Sequence, residues 1–376
     1  MSPDVNGDGP PEQRFRGIHL EPFGIRRLAL SNPNNKRITA MIAPYREDLI
    51  VPADYHTARR NLIPVIRERW QVVPAITSPA GLPHVVVGEH LAVVVAYDSR
   101  HRLVPIDHDT LTAWGVSIGE VIQEAITNVG SPGATIERLS GSGRAYRVSG
   151  GPGAVAAILQ IPSLLSEIAI SGMPLVMPAH PECLYVTGDQ DTPGQRAVLR
   201  AAEESAGRRH SLVGHSLRLE EGGWSPWLPG RSHYLYVGYQ ALATRAAWRR
   251  YEAQNEALIE GRYVSHPPGE CFVSSLMPIR DPATGAPQSA ATWSKGVRCL
   301  LPRTDVIAFV EPKLSDNKAL IYGLVPWGTA AAVMGDMLEP QGVYPERYLV
   351  KGFPSDEQMA AMAPVLDPGR GAMSRS

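Results

Sequence analysis

Apolar residues follow two rhythms along this chain. Some form short, strand-length runs closed by turn residues; others recur every three or four positions, as on one face of a helix. The clearest short run is Leu175-Val176-Met177, followed by a proline turn, Glu182 and Cys183-Leu184-Tyr185-Val186. The same grammar appears earlier as Met41-Ile42-Ala43-Pro44 with Asp48-Leu49-Ile50-Val51, and later as Leu300-Leu301-Pro302 with Asp305-Val306-Ile307-Ala308-Phe309-Val310. A stretch able to form a helix comes after each copy. The pattern therefore predicts a repeated unit of strand, turn, strand and helix, which is an architectural signal without chemistry.

Between these units the elements read in order. Ile25 to Leu30 suggests a strand, Asp54 to Arg69 a helix ended or kinked by Pro64, and Trp70 to Ile76 an extended piece. Leu82 to Val87 and Leu91 to Tyr97 flank Gly88-Glu89-His90, the loop length of a hairpin. Leu103 to Ile106 is extended, and Asp107 or Asp109 caps a turn from Thr110 to Trp114. Ser117 and Glu120 make a capping box for a helix to Val129, whose Ile118, Val121, Ile122, Ala125 and Ile126 share a face. A second hairpin is expected from Ala134 to Val148, then a helix from Ala154 toward Glu167, interrupted near Pro162. A helix from Pro193 through Ser205, two short strands between Ser211 and Trp227, a long helix from Tyr239 to Gly261 and a strand around Cys271 to Met277 follow.

Turn-rich Leu228-Pro229-Gly230-Arg231-Ser232 marks the expected boundary. It separates an α+β core over 17–232 from a smaller C-terminal α+β module over 233–364, with disordered tails at 1–16 and 365–376. The expected fold class is α+β: hairpin and helix units forming mixed or antiparallel sheets.

Composition narrows the function classes. The chain of 376 residues has a formal net charge of −1, so no basic excess supports nucleic acid binding. No apolar run approaches the roughly 20 residues of a membrane span, and the acidic start has no apolar signal region. Three widely spaced cysteines, Cys183, Cys271 and Cys299, do not make a disulfide framework. A cytoplasmic protein without a membrane segment is expected.

Leu62-Ile63-Pro64-Val65-Ile66-Arg67, Val93-Val94-Val95-Ala96-Tyr97-Asp98, and Val104-Pro105-Ile106-Asp107 with Leu111, Trp114 and the helix to Asn128-Val129 follow one another in a distinctive order. The hairpin and helix after Arg144, and Val176-Met177-Pro178 with Cys183-Leu184-Tyr185-Val186, complete it. On these motifs residues 60–228 resemble the YtpQ-like family, a bacterial family of unknown function. Gly150-Gly151-Pro152-Gly153 departs from the acidic turn usual in that family. The resemblance implies an α+β fold and supplies no reaction.

Candidate chemistry is sparse. Gly214-His215-Ser216-Leu217-Arg218 begins like a nucleophile elbow, but Arg218 stands where a small residue is needed, so Ser216 reads as a strand residue. His180 and Cys183 are metal-capable, with His266 and Cys271 as distant partners, yet no second closely spaced pair exists. His108 lies between Asp107 and Asp109, where capping is the favoured reading over a general base. The glycines of 141–143 and 150–153 match neither phosphate-binding fingerprint. Trp224 and Trp227, with Tyr234, Tyr236 and Tyr239, form the densest aromatic cluster, read first as an interdomain seam and second as a binding surface. Arg245, Arg249 and Arg250 read as a solvated charged face. No cofactor fingerprint is present. The expectation leans away from an enzyme, toward a binding or adaptor protein with a protein partner, immunity to a toxin being one version. The alternative is a hydrolase or transferase assembled from His180, Cys183, His215 or Ser216.

Overall fold

The computed structural model describes residues 51–73, 81–99, 102–130, 133–259, 271–281, 284–313 and 318–366. The expected strand at 25–30, nearly all of the unit at 38–51, the tail at 1–16, His266 and all but two residues of the tail at 365–376 lie outside them. The fold is α+β, with eight helices and eighteen strands among the described residues. No helix among them is long and apolar enough to cross a membrane.

A short helix, α1 (Tyr55–Ala58), leads into β1 (Leu62–Glu68), where a helix over 54–69 is expected. The correction has a physical cause. Ile63, Val65 and Ile66 are β-branched, and all seven residues of β1 pair antiparallel with a distant strand, from Leu62↔Tyr97 to Glu68↔Leu91. Pro64 is tolerated because β1 is an edge strand. Beyond it, Arg69–Gln71 is a turn of 3₁₀ helix rather than extended chain.

The first sheet is completed by β2 (Val85–Val87), β3 (Leu91–Ser99) and β4 (Arg102–Pro105), in the order β1-β3-β2 with β4 also on β3. Helices α2 (His108–Trp114) and α3 (Ile118–Val129) follow; Asp107 caps the first through Thr110 N at 2.8 Å, and the Ser117/Glu120 capping box opens the second. The second sheet has the order β10-β9-β7-β8-β6-β5. Its strands are β5 (Thr135–Arg138), β6 (Tyr146–Ser149), β7 (Pro174–His180), β8 (Cys183–Gly188), β9 (Ser216–Glu220) and β10 (Gly223–Trp227). Between them lie α4 (Ala154–Gln160), buried apart from its last residue, and α5 (Thr192–Ser205). The central unit is thus hairpin β7–β8 followed by α5, as its sequence grammar predicts.

One core joins Leu62, Ile66 and Val93 of the first sheet to Ile122 and Ile126 of α3, to α4, and to Val176, Leu184 and Val186 of the second. A second core lies on the opposite face of β7 and β8, where Met177 and Tyr185 meet Val198 and Ala202 of α5. That core also takes in Tyr239 and Leu242 from the long helix α6 (Tyr236–Ile259).

The remaining strands build two further sheets. One has the order β11-β14-β18-β17, the other β12-β13-β15-β16. The strands are β11 (Phe272–Val273), β12 (Met277–Arg280), β13 (Pro287–Ser294), β14 (Cys299–Pro302), β15 (Val306–Lys313), β16 (Lys318–Pro326), β17 (Leu338–Pro340) and β18 (Arg347–Val350). Helices α7 (Trp327–Met334) and α8 (Asp356–Leu366) enclose a core of Trp293, Leu301, Ile307, Phe309 and Val325; α8 runs past the start of the expected tail at 365. The third sequence unit is not a hairpin. β14 and β15 belong to different sheets, β15 pairing parallel with β13 and antiparallel with β16. Asp305 directs this crossover: its Oδ2 accepts from Ser289 N at 2.7 Å and from Ser289 Oγ at 2.8 Å, fixing the start of β15 beside β13.

Candidate functional site

Helix α6 runs between the first two sheets and the last two. Gln240, Ala243, Thr244, Ala247, Arg250 and Tyr251 recur at three- and four-residue spacing and so share one face. That face walls a cavity of about 270 Å³ at the seam of the molecule. The turn between β2 and β3 contributes Glu89 and His90, and the residue before β9 contributes His215. The C-terminal sheets close it with Ser289, Arg303, Thr304, Asp305 and Tyr344 through Glu346.

Each wall is held from its own element. Gly88 and Glu89 both take left-handed φ, 55° and 68°, which tightens the turn and presents His90. The His90 carbonyl accepts from Arg69 N at 2.8 Å, tying the turn to the end of β1. Gly214 lets α6 come close: a Cβ there would stand 2.9 Å from Ala246 Cβ. On the other side Tyr251 Oη donates to the Glu346 carbonyl and Gln254 Nε2 to the Pro345 carbonyl, both at 2.7 Å.

Inside, the His90 and His215 rings lie 4.5 Å apart between centroids, and His90 Nδ1 is hydrogen-bonded to the Tyr344 hydroxyl at 2.9 Å. The Arg69 guanidinium stacks over Tyr344, 4.2 Å from its ring centroid. Burial, reinforced by Arg250, His215 and Arg69, holds His90 far below the ordinary imidazole range. Burial and then Arg250 push His215 down to about 3. Burial also raises the Tyr344 phenol to about 12. Both imidazoles are therefore neutral near pH 7, each offering one N–H and one bare nitrogen.

Among the described residues three polar groups on this wall have no partner. His215 Nδ1 and Thr244 Oγ1 are buried without a hydrogen bond. Arg250, only 5% exposed, has no hydrogen bond or ion pair with any of them. The expected solvated face of α6 is correspondingly narrower: Arg245 is exposed, while Arg249 reaches Glu68 Oε1 at 3.2 Å and Arg250 points to the seam.

The candidate catalytic, metal and binding residues singled out in the sequence lie elsewhere, except His215. Ser216 is buried in β9 with its hydroxyl at Tyr239, on the opposite side of the strand from His215. His180 and Cys183 face each other across the β7–β8 hairpin, but no metal-competent cluster of three exists among the described residues. Burial raises the Cys183 thiol, against the opposing pull of Arg147. Trp224 and Trp227 point to opposite faces of β10. The first donates Nε1 to the Leu159 carbonyl at 2.8 Å, and the second meets Tyr239 edge-on at 5.6 Å. Tyr234 is exposed, with Arg196 Nη2 donating to its hydroxyl at 2.6 Å; Tyr236 is half-buried at the start of α6.

No family model, curated protein or solved structure matches the chain. The seam cavity is thus defined by its own chemistry: two neutral imidazoles tilted against each other, a phenol, a hydroxyl and a guanidinium. A legible signal for it was the polar trio Gln240, Thr244 and Arg250 recurring in helical phase with buried apolar positions of α6.

Proposed function

We propose that the protein acts by binding, and that it holds a small polar ligand in the seam cavity. The observation that carries this reading is the pair of buried polar atoms left without hydrogen bonds at the cavity, His215 Nδ1 and Thr244 Oγ1, beside Arg250, a 5% exposed side chain without an ion pair among the described residues. Buried polar groups in folded proteins are nearly always satisfied, so an unsatisfied cluster around a cavity asks for a molecule inside it. The cavity is bordered by residues from the first two sheets and from the last two, so a ligand there would bridge them.

Acid–base catalysis is the competing use of a histidine pair beside a phenol. The electrostatics weigh against it: an imidazole pushed to about 3 is a poor base near neutral pH. The resemblance of residues 60–228 to the YtpQ-like family belongs to the same proposal, since that stretch would contribute His90 and His215. So does a reducing, cytoplasmic setting, with Cys183, Cys271 and Cys299 as free thiols. A protein partner, immunity-type or otherwise, is a second reading, favoured by Tyr234 and Val237, which are 57% and 43% exposed at the start of α6.

The test is a thermal-shift screen of small polar metabolites on the full chain and on Ala247→Leu, which narrows the cavity. A ligand that raises Tm in the wild type and loses its effect in a folded A247L supports the reading. If no stabilising ligand depends on position 247, the cavity is not a binding site.

A further inference from the structure

We infer that the seam cavity is an anion site, whose occupant carries a carboxylate or phosphate-type oxyanion that pairs with Arg250. This rests on the binding reading above and names the chemistry of the ligand. A guanidinium stays protonated in proteins, so Arg250 cannot escape burial by losing its charge. A charge held in a largely buried side chain without an ion pair is destabilising, and a counter-ion in the cavity removes that cost.

Two of the three carboxylates that border the cavity are held by partners other than Arg250. Asp305 Oδ2 accepts from Ser289 N and Oγ, and Glu346 Oε2 pairs with Arg303 Nη1 at 2.9 Å. Glu89 lies at the rim with its side chain 55% exposed, and its Oε1 stands 3.8 Å from His90 Nδ1. Arg69, behind Tyr344, adds a second cation; its Nη1 donates to the Glu89 carbonyl and its buried Nε has no partner among the described residues. The formal charges at the cavity sum to zero, Arg69, Arg250 and Arg303 against Glu89, Asp305 and Glu346, but the acids lie at the rim or are held by other partners and Arg250 is left without a local counter-ion, while the histidines add donors without adding charge.

Water alone does not answer this arrangement. It could satisfy Thr244 Oγ1 and His215 Nδ1, but it cannot neutralise Arg250. Size narrows the occupant further. About 270 Å³ corresponds to roughly nine waters at ~30 Å³ each, below the ~300 Å³ at which pockets for drug-sized ligands begin. A small carboxylate or phosphate fits this space. Guanidinium geometry suits both oxyanions through paired N–H donors.

The experiment is a thermal-shift and calorimetric titration of the full chain with inorganic phosphate, acetate and succinate, at ionic strength held constant with sodium chloride. Glycerol serves as the neutral control. At least one oxyanion is expected to raise Tm in proportion to the logarithm of its concentration at millimolar levels, with glycerol inert. Whether phosphate or a carboxylate gives the larger shift assigns the oxyanion. Arg250→Gln is expected to weaken that binding at least tenfold and, in the absence of anion, to keep or raise Tm, since it removes an uncompensated charge. A merely structural Arg250 predicts the opposite, a lower Tm with anion binding unchanged, and that result overturns the assignment. Thr244→Val supplies a second variant should R250Q fail to fold: a severalfold loss of anion affinity supports the site, and none overturns it. A neutral ligand that stabilises the wild type but not A247L, with no oxyanion effect, overturns the anion class and leaves the binding reading intact. No effect from any ligand class overturns both.

Discussion

Two kinds of buried polar residue behave differently here. Arg347, 1% exposed, is held by several oxygens: Nε donates to Gln254 Oε1 at 2.7 Å, Nη1 to the Ser274 and Leu300 carbonyls at 2.9 Å, and Nη2 to Asn255 Oδ1. Arg347→Met strands those acceptors in the interior, and a loss of about 3 kcal/mol or more is expected in urea unfolding. The histidines give a pH signature instead. Their folded-state pKa values are depressed, so below the ordinary value of 6.5 the unfolded chain takes up protons that the folded chain refuses. Stability is fully present above that value and is lost as pH falls toward about 3, the folded value for His215. The slope approaches about 1.4 kcal/mol per pH unit for each histidine. Unfolding midpoints between about pH 6.5 and 5, above most carboxylate titration, are expected to fall in the wild type and to fall about half as steeply in His215→Gln, where His90 still contributes. The aromatic residues were harder to place from sequence: Trp224 and Trp227 are close in the chain, yet strand alternation sends them to different cores.

Elements whose signals are local came through from the sequence. The Ser117/Glu120 capping box, the Asp107 cap and the β2–β3, β5–β6 and β9–β10 hairpins rest on turn and cap residues within a few positions of each other. β1 did not, because its strand conformation comes from pairing with β3 some thirty residues away. The glycine loop before α4 serves packing. Gly153 has φ +88°, and a Cβ there would meet Val129 Cγ2 at 2.9 Å and the Pro64 carbonyl at 3.0 Å. Gly153→Ala is expected to cost about 2 kcal/mol through backbone strain and displacement of β1 and α3, read as a lowered urea midpoint with an unchanged m-value.

At the scale of the molecule, α6 is the strut between the two pairs of sheets. It holds one side through Arg249, which bonds Glu68 Oε1 and the Val213 carbonyl at 3.2 Å, and the other through Tyr251, Gln254 and Asn255. Glu68 is 5% exposed, so Arg249→Met leaves a buried carboxylate without its cation. A loss of about 3 kcal/mol is expected, and scanning calorimetry should show one transition in the wild type and two in the variant. Periodicity and short-range hydrogen bonding in the sequence were enough for the α+β class, for helices α3 to α6, for the β2–β3, β5–β6, β7–β8 and β9–β10 hairpins, and for the Asp107 and Ser117 caps, while α7 and α8 had no such signal. Only the tertiary structure decided that Val306–Lys313 leaves the sheet of Cys299–Pro302, that Leu62–Glu68 is a strand, and that His90, His215, Arg250 and Tyr344 meet around one cavity. Pairing partners and burial are set by residues far apart in the chain, and no local pattern encodes which distant surface a side chain will face.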